Sequence, residues 1–398
     1  MLSALGSRLS ALGSRLSALG SVLAPLRAHV AARFALGRSA LGQTAFCRVI
    51  LKTAHHERTQ MKPFRTVIAG CGGMANTWVE YALKRPDTEI VALVDLHPQS
   101  AENLKIRHEL QCPTFTSLTE ALEHTNANLV LDITIPDAHK DIALTAFAAG
   151  CDVLGEKPMA SSLQDAQEML EAAQNAGRTY AIMQNRRYLK PIRAFRDLVH
   201  SGKIGKPGFA TANFFIGAHF GGFRDLMDSP LVLDMAIHTF DQARFILQAD
   251  PVSVYCHEFN PAGSWYRGNA AAVCIFEMSD GSVFTYNGSW CAEGAFTAWE
   301  ADWRVMGSLG TALWDGKNLP FAEVVTDPEQ QAFHRDAHRI EAELLWEGQE
   351  GHFGCLDEMF GALLENRVPE TSCTDNIHSM KMVFGALESA RRGEKVLL

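Results

Sequence analysis

The chain has 398 residues, 47% hydrophobic and 20% charged, the balance of a globular protein rather than a disordered, fibrous or disulfide-scaffold one. Its 36 basic and 45 acidic side chains leave a net charge of −9, so no basic field exists to draw nucleic acid or anionic lipid. No uncharged apolar run reaches the roughly 20 residues needed to span a bilayer, and the nine cysteines form no C-x-x-C pair, a pattern that reads as reduced thiols in a cytoplasmic protein without a metal site.

Residues 1–60 stand apart. LSALGSR at 2–8 recurs unchanged at 9–15, and leucines fall at alternating spacings of three and four from Leu2 to Leu26. That is a heptad-like stripe, but each repeat carries Gly and Ser, which weaken a helix. Glu57 is the only acid before position 61, against seven Arg and one Lys. The segment fits a translated upstream repeat ahead of a start at Met61, an acid-poor targeting segment or an amphipathic interaction helix. The fold is expected to begin at 61.

FRTVIAG (64–70) is a short β-branched run ending in Gly, followed by CGGMA and a helical stretch at 76–85. The turn reads Gly70-x-Gly72-x-x-Ala75, with Gly73 and Met74 between, which is the dinucleotide fingerprint in its GxGxxA form. The first Gly permits the turn, the second lets backbone approach a pyrophosphate, and the small third residue lets helix pack on strand. The helix N-terminus then offers free N–H groups to phosphate. A second strand, 89–95, ends in Asp95, 25 residues after Gly70. An acid there can accept from ribose hydroxyls and would repel a 2′-phosphate, and Leu96 to Ser100 contain no Arg or Lys. NAD is therefore expected over NADP.

Strand and helix continue to alternate through 185, with strands within 122–136, 151–158 and 178–185 and helices at 139–150 and 162–177. Ser162 and Asp165 have capping-box spacing, and Gly177 fits a C-cap. This alternation predicts a doubly wound parallel sheet, with ligands at its C-terminal strand ends, where Asp95, Pro136 and Lys157 fall. A helix beginning near Pro191 links to a second half with strand-like runs at 208–217, 252–260, 270–278, 282–290 and 301–308. SDG at 279–281 signals a hairpin, so this half is expected to be an open, mostly antiparallel sheet. Helices are expected near 352–366 and 375–393.

Four motifs, in order and spacing, resemble the Gfo/Idh/MocA oxidoreductases: GCGGMA (70–75), T-x-P-x-x-H at Thr134, Pro136 and His139, GEKP (155–158) and LDMAIH (233–238). The resemblance covers about 61–398. It implies a Rossmann domain, assigned here to 61–186, and a substrate-binding and oligomerisation domain, assigned to 187–398. It further implies hydride transfer between a nicotinamide and a hydroxyl or keto group of a sugar, cyclitol or glycoside. A redox-neutral lyase or glycosidase holding NAD tightly is the alternative. The lead-in SPLVL (229–233) lacks the family's usual glycines, so the substrate-side loop is not the common one.

The expected catalytic set is Lys157, Asp234 and His238. Asp234 and His238 are four apart and share a helix face, where a carboxylate would raise and orient the imidazole. His238 is the expected acid/base. Lys157, whose bond to Pro158 tends to be cis in the family, is expected to stabilise charge on the substrate oxygen. Glu156, Thr134, Pro136 and His139 are expected at the cofactor, with core packing an equal alternative for His139. Arg187, Tyr188, His219 and Arg224 are expected to reach the substrate. Asp241 reads as a second site carboxylate or a surface charge. Trp290, Trp299, Trp303 and Trp314 read as sugar platforms or, more simply, as a sheet face used for packing or for joining two or four copies.

Overall fold

The computed structural model describes residues 64–398; the expectations for 1–60 lie outside the described residues. Six strands form a fully parallel sheet: β1 (Phe64–Ala69), β2 (Thr88–Val94), β3 (Thr114–Phe115), β4 (Leu129–Asp132), β5 (Asp152–Gly155) and β6 (Tyr180–Ile182), in the order β3-β2-β1-β4-β5-β6. Between them run α1 (Ala75–Lys84), α2 (Pro98–Arg107), α3 (Leu118–His124), α4 (Pro136–Ala148) and α5 (Leu163–Ala176). The order reverses between β1 and β4, and the cleft opens outside the carboxyl ends of these strands, as a doubly wound sheet requires. Alternate residues of β1 feed two cores: Val67 and Ala69 pack on one face of the sheet, Ile68 on the other with Trp78 of α1. Ser162 caps α5 by accepting from Asp165 N at 3.0 Å, and Gly177 ends it at φ +61°.

A 3₁₀ turn (Asn185–Arg187) and α6 (Lys190–His200) lead into a nine-stranded sheet. Its strands are β7 (Pro207–Phe215), β8 (Pro251–Phe259), β9 (Ala271–Met278), β10 (Val283–Ser289), β11 (Asp302–Gly307), β12 (Gly310–Trp314), β13 (Phe321–Val325), β14 (Ala337–Glu341) and β15 (Val396–Leu397). The order is β14-β13-β12-β11-β7-β10-β9-β8-β15, antiparallel except where β7 meets β10. The β9–β10 hairpin turns at Gly281, φ +86°. Trp290, Trp303 and Trp314 are buried, Trp303 stacked on Phe284 at 5.8 Å. Large rings on an inner sheet face fill core volume, so these three are not sugar platforms.

After a 3₁₀ turn (Gly222–Leu226), a π-helical turn (Leu231–Ala236) and α7 (Ile237–Leu247) lie against that inner face, where Phe240 of α7 meets Phe276 and Tyr286 edge-on. Two C-terminal helices return across both halves. α8 (Gly351–Glu365) buries Leu356, Met359 and Phe360 in the core of α1, and α9 (Cys373–Arg392) packs on α5, α7 and β8.

Candidate active site

Strand β1 delivers the fingerprint turn. Gly70 has φ +88°, and a Cβ there would stand 2.5 Å from the Ile133 carbonyl oxygen, so only glycine fits. At Gly72 and Gly73 a Cβ would meet nothing within 4 Å. The amides of Gly72, Gly73 and Met74 have no acceptor among the described residues, and α1 starts at Ala75. Free amides, open space and a helix N-terminus together suit a pyrophosphate. Asp95 holds this turn, accepting from Cys71 N through Oδ2 and from His97 N through Oδ1, both at 2.8 Å. The half-buried carboxylate retains lone pairs for ribose hydroxyls.

A cleft of about 660 Å³ adjoins the turn, lined by Met74, Thr134, Pro136, Glu156, Lys157, Phe223, Arg224 and Asp234 among others. Glu156 accepts from Trp78 Nε1 at 2.8 Å. The Lys157–Pro158 peptide is cis. Lys157 Nζ donates to the Asp234 carbonyl oxygen at 3.0 Å and lies 3.3 Å from Asp234 Oδ1. Arg224 Nε donates to Asp234 Oδ2 at 2.6 Å. Both carboxylate oxygens are thus held by cations.

This corrects the expected Asp234–His238 pair. Asp234 lies in the π-helical turn, where residues five apart, not four, come into register. It makes no hydrogen bond to His238, whose Nδ1 is buried without a partner. Burial first, then the charges of Arg186, Lys157 and His352, push the His238 imidazole well below its ordinary value. The expectation of a raised basicity is reversed: the ring is neutral because it is buried among cations.

Four other expected contacts do not reach the cleft. His139 is fully buried beneath it, its Nδ1 donating to Asp132 Oδ2 at 2.8 Å. Arg187 is buried in an ion network, donating to both oxygens of Asp241 at 2.6 Å and to Asp375 at 2.7 Å. Asp241 is therefore neither a site carboxylate nor a surface charge. Tyr188 is buried beside Trp346, under the Arg193 guanidinium. His219 is exposed, stacked on Trp265 at 3.7 Å and hydrogen-bonded to Glu293 at 2.7 Å.

Arg186, the neighbour of Arg187, is the one whose charge acts on His238. Successive residues of a 3₁₀ turn point about 120° apart, so Arg187 enters the Asp241–Asp375 network while Arg186 turns toward Met235, Trp299 and Glu300. Arg186 donates to the Trp299 carbonyl, lies 3.7 Å from Glu300 and acts electrostatically on His238. Burial lowers its pKa and raises that of Glu300. Asn185 Nδ2 lies 3.4 Å from His352 Nδ1, which α8 brings in from far along the chain. The NRR tripeptide was a usable signal for Arg186; nothing local marked His352.

Two family models match in tandem: an oxidoreductase family with an NAD-binding Rossmann fold over residues 64–184, and a GFO/IDH/MocA C-terminal domain over 192–313. Among curated proteins, an uncharacterized protein of Sinorhizobium fredii is 24% identical over 84% of this chain and 95% of its own length. A 1,5-anhydro-D-fructose reductase of Ensifer adhaerens is 29% identical over 46% of this chain and 56% of its own. A myo-inositol 2-dehydrogenase of Thermotoga maritima is 24% identical over 67% and 79%. The fold is shared with an Agrobacterium radiobacter oxidoreductase crystallised with NAD+, L-tartaric acid and magnesium, at TM-score 0.73 and 20% identity, covering 84% of this chain and 98% of that one.

Proposed function

Because the chain belongs to the Gfo/Idh/MocA family of NAD-binding oxidoreductases, we propose that it interconverts a secondary hydroxyl and a ketone on a sugar, cyclitol or glycoside. The observation that carries this reading is the meeting of Lys157, Arg224 and Asp234 in a cleft that adjoins the fingerprint turn. The curated relatives named for sugar and inositol chemistry support the substrate class.

Gly72, Gly73 and Met74 hold the pyrophosphate and Asp95 the ribose, while Thr134, Pro136 and Glu156 wall the nicotinamide end. Bound NAD supplies the hydride acceptor. Lys157 donates to the substrate oxygen and stabilises its developing negative charge. His238, kept neutral, accepts the alcohol proton. Asp234 fixes Lys157 in place and accepts from a neighbouring hydroxyl. The cofactor domain runs to residue 186 and the substrate domain starts at 187, so the boundary falls inside the 3₁₀ turn (Asn185–Arg187) that follows β6.

Among the described residues no helix is long and apolar enough to cross a membrane. The outer face of the nine-stranded sheet exposes Phe209, Tyr255, Val273 and Ile275, an apolar surface suited to a second copy of the chain. Sedimentation of wild type and Ile275→Lys tests that assembly.

The test of function is NADH formation from NAD with a panel of cyclitols, free sugars and glycosides. A hydroxyl substrate should yield one NADH per ketone formed. Substrate cleavage without NADH release would overturn the net-redox reading in favour of a redox-neutral lyase.

A further inference from the structure

A guanidinium has two faces and two hydrogen-bonding edges, and Arg224 uses them unevenly. Its Nε is held by Asp234 Oδ2 at 2.6 Å. Its carbon lies 5.2 Å from the Phe220 ring centroid and 4.7 Å from that of Phe223. Nη1 and Nη2 have no acceptor among the described residues, although only 32% of the side chain is exposed. Arginines that serve structure here look different. Arg187 and Arg244 are buried, and Asp241, Asp250, Asp375 and Ser379 take up their donors.

The residues around it point the same way. Arg224 and Phe223 line the cleft with Lys157 and Asp234. Phe220 and Phe223 are 52% and 65% exposed, large rings left beside the cation rather than packed in the core. Asp137 and Glu156 also line the cleft, so recognition of an anion rests on the free Nη edge of Arg224 itself rather than on an excess of positive charge.

We infer that the unused edge of Arg224 recognises a carboxylate on the substrate, making the preferred substrate an acidic sugar, such as a uronic acid or its glycoside, rather than a neutral one. With the Nε corner taken, the two Nη groups present parallel in-plane N–H donors. A carboxylate accepts both at once, whereas a hydroxyl accepts one. The flanking rings hold the guanidinium plane through its faces and leave the Nη edge free. Phosphate would fit the same edge, and the test separates the two.

This inference rests on the proposed dehydrogenase reading for its turnover arm only. NADH formation is measured with matched glucose, glucuronate and glucose 6-phosphate, and with their methyl glycosides, for wild type, Arg224→Gln and Arg224→Lys. Wild type should favour the carboxylate over its neutral partner by about ten- to a hundredfold in kcat/KM, the span of a charge-assisted pair. Arg224→Gln should bring that ratio close to one, and Arg224→Lys should restore part of it. The ratio is the readout because Arg224 also touches Asp234. Calorimetric titration of glucuronate into the NAD-loaded protein gives a second arm. Glucuronate binding lost in Arg224→Gln, without NADH formation in wild type, would refute the dehydrogenase reading and keep the carboxylate site. Equal ratios in wild type, a ratio unmoved by Arg224→Gln, or a preference for phosphate would overturn the inference.

Discussion

Lys157 Nζ stands 3.0 Å from the main-chain oxygen of Asp234 and 3.3 Å from its Oδ1. One ammonium thus ties the segment after β5 to the π-helical turn of the other sheet's cover, and a chemical role and a positional one coincide. Lys157→Ala should lower kcat by about 10²–10³, the usual cost of losing one donor to a developing oxyanion. NADH affinity, followed by fluorescence titration, should stay within about threefold, since the fingerprint turn is formed by other residues. A kcat near wild type would remove Lys157 from the chemistry.

The state of His238 sets a pH dependence. The base must be neutral, and burial with Arg186, Lys157 and His352 lowers its pKa well below the ordinary value. The acid limb of kcat/KM should therefore lie below about 6.5. Lys157→Met removes one depressing charge and should move that limb upward. His238→Gln should reduce kcat by about 10²–10⁴. An acid limb above the ordinary imidazole value would exclude His238 as the group seen.

Asp95 both braces the turn and faces the cofactor side. Wild type should bind NAD at least about tenfold more tightly than NADP, because a carboxylate repels the 2′-phosphate. Asp95→Ala should narrow the difference while weakening NAD itself, since Cys71 N then loses its acceptor. Calorimetry with both nucleotides decides; tighter NADP binding in wild type would defeat the assignment.

Arg187 and Asp241 form a buried pair with both oxygens engaged at 2.6 Å. Asp241→Ala leaves the guanidinium with too few acceptors in the core and should cost about 3–5 kcal/mol in urea unfolding. Arg187→Met combined with Asp241→Leu should recover much of it. Recovery of nothing would mean that Asp375 and Arg244 depend on the pair.

Much of this was legible along the chain. A strand–Gly turn–helix unit repeats one pattern within thirty residues, so β1, α1, β2 and Asp95 follow from local rules. The second sheet's strands β7 to β11 alternate cleanly, and their bounds fall within about two residues of those expected. β12 to β14 lie outside that reading: they are short, and at β14 nearly every residue is exposed, so alternation carries no signal. The site was harder. Helical spacing placed Asp234 beside His238, but a widened turn and two cations from other segments moved the carboxylate away. Whether Arg186 or Arg187 acts on His238 depends on one step of a 3₁₀ turn, and His352 arrives through tertiary packing alone.

Glu258 offers a last test, outside the cleft. It sits on β8 with Oε1 buried and unpartnered, while Oε2 accepts from Ser229 Oγ at 3.1 Å, just before the π-helical turn. Burial pushes its pKa to about 7, against the single opposing hydrogen bond from Ser229. The unfolded carboxyl ionises near 4.3. Between those values the folded state binds more protons than the unfolded one, so stability falls as pH rises from about 4.3 to 7 and levels off above. Below that window the group is neutral in both states and contributes nothing. Glu258→Gln keeps the shape and removes the ionisation, so it should stabilise the protein at pH 8 by at most about 4 kcal/mol and by little at pH 4.5. Thermal unfolding of both proteins across that range checks it. A gain that is constant with pH would show that the amide improves packing, and that Glu258 does not titrate in the folded protein.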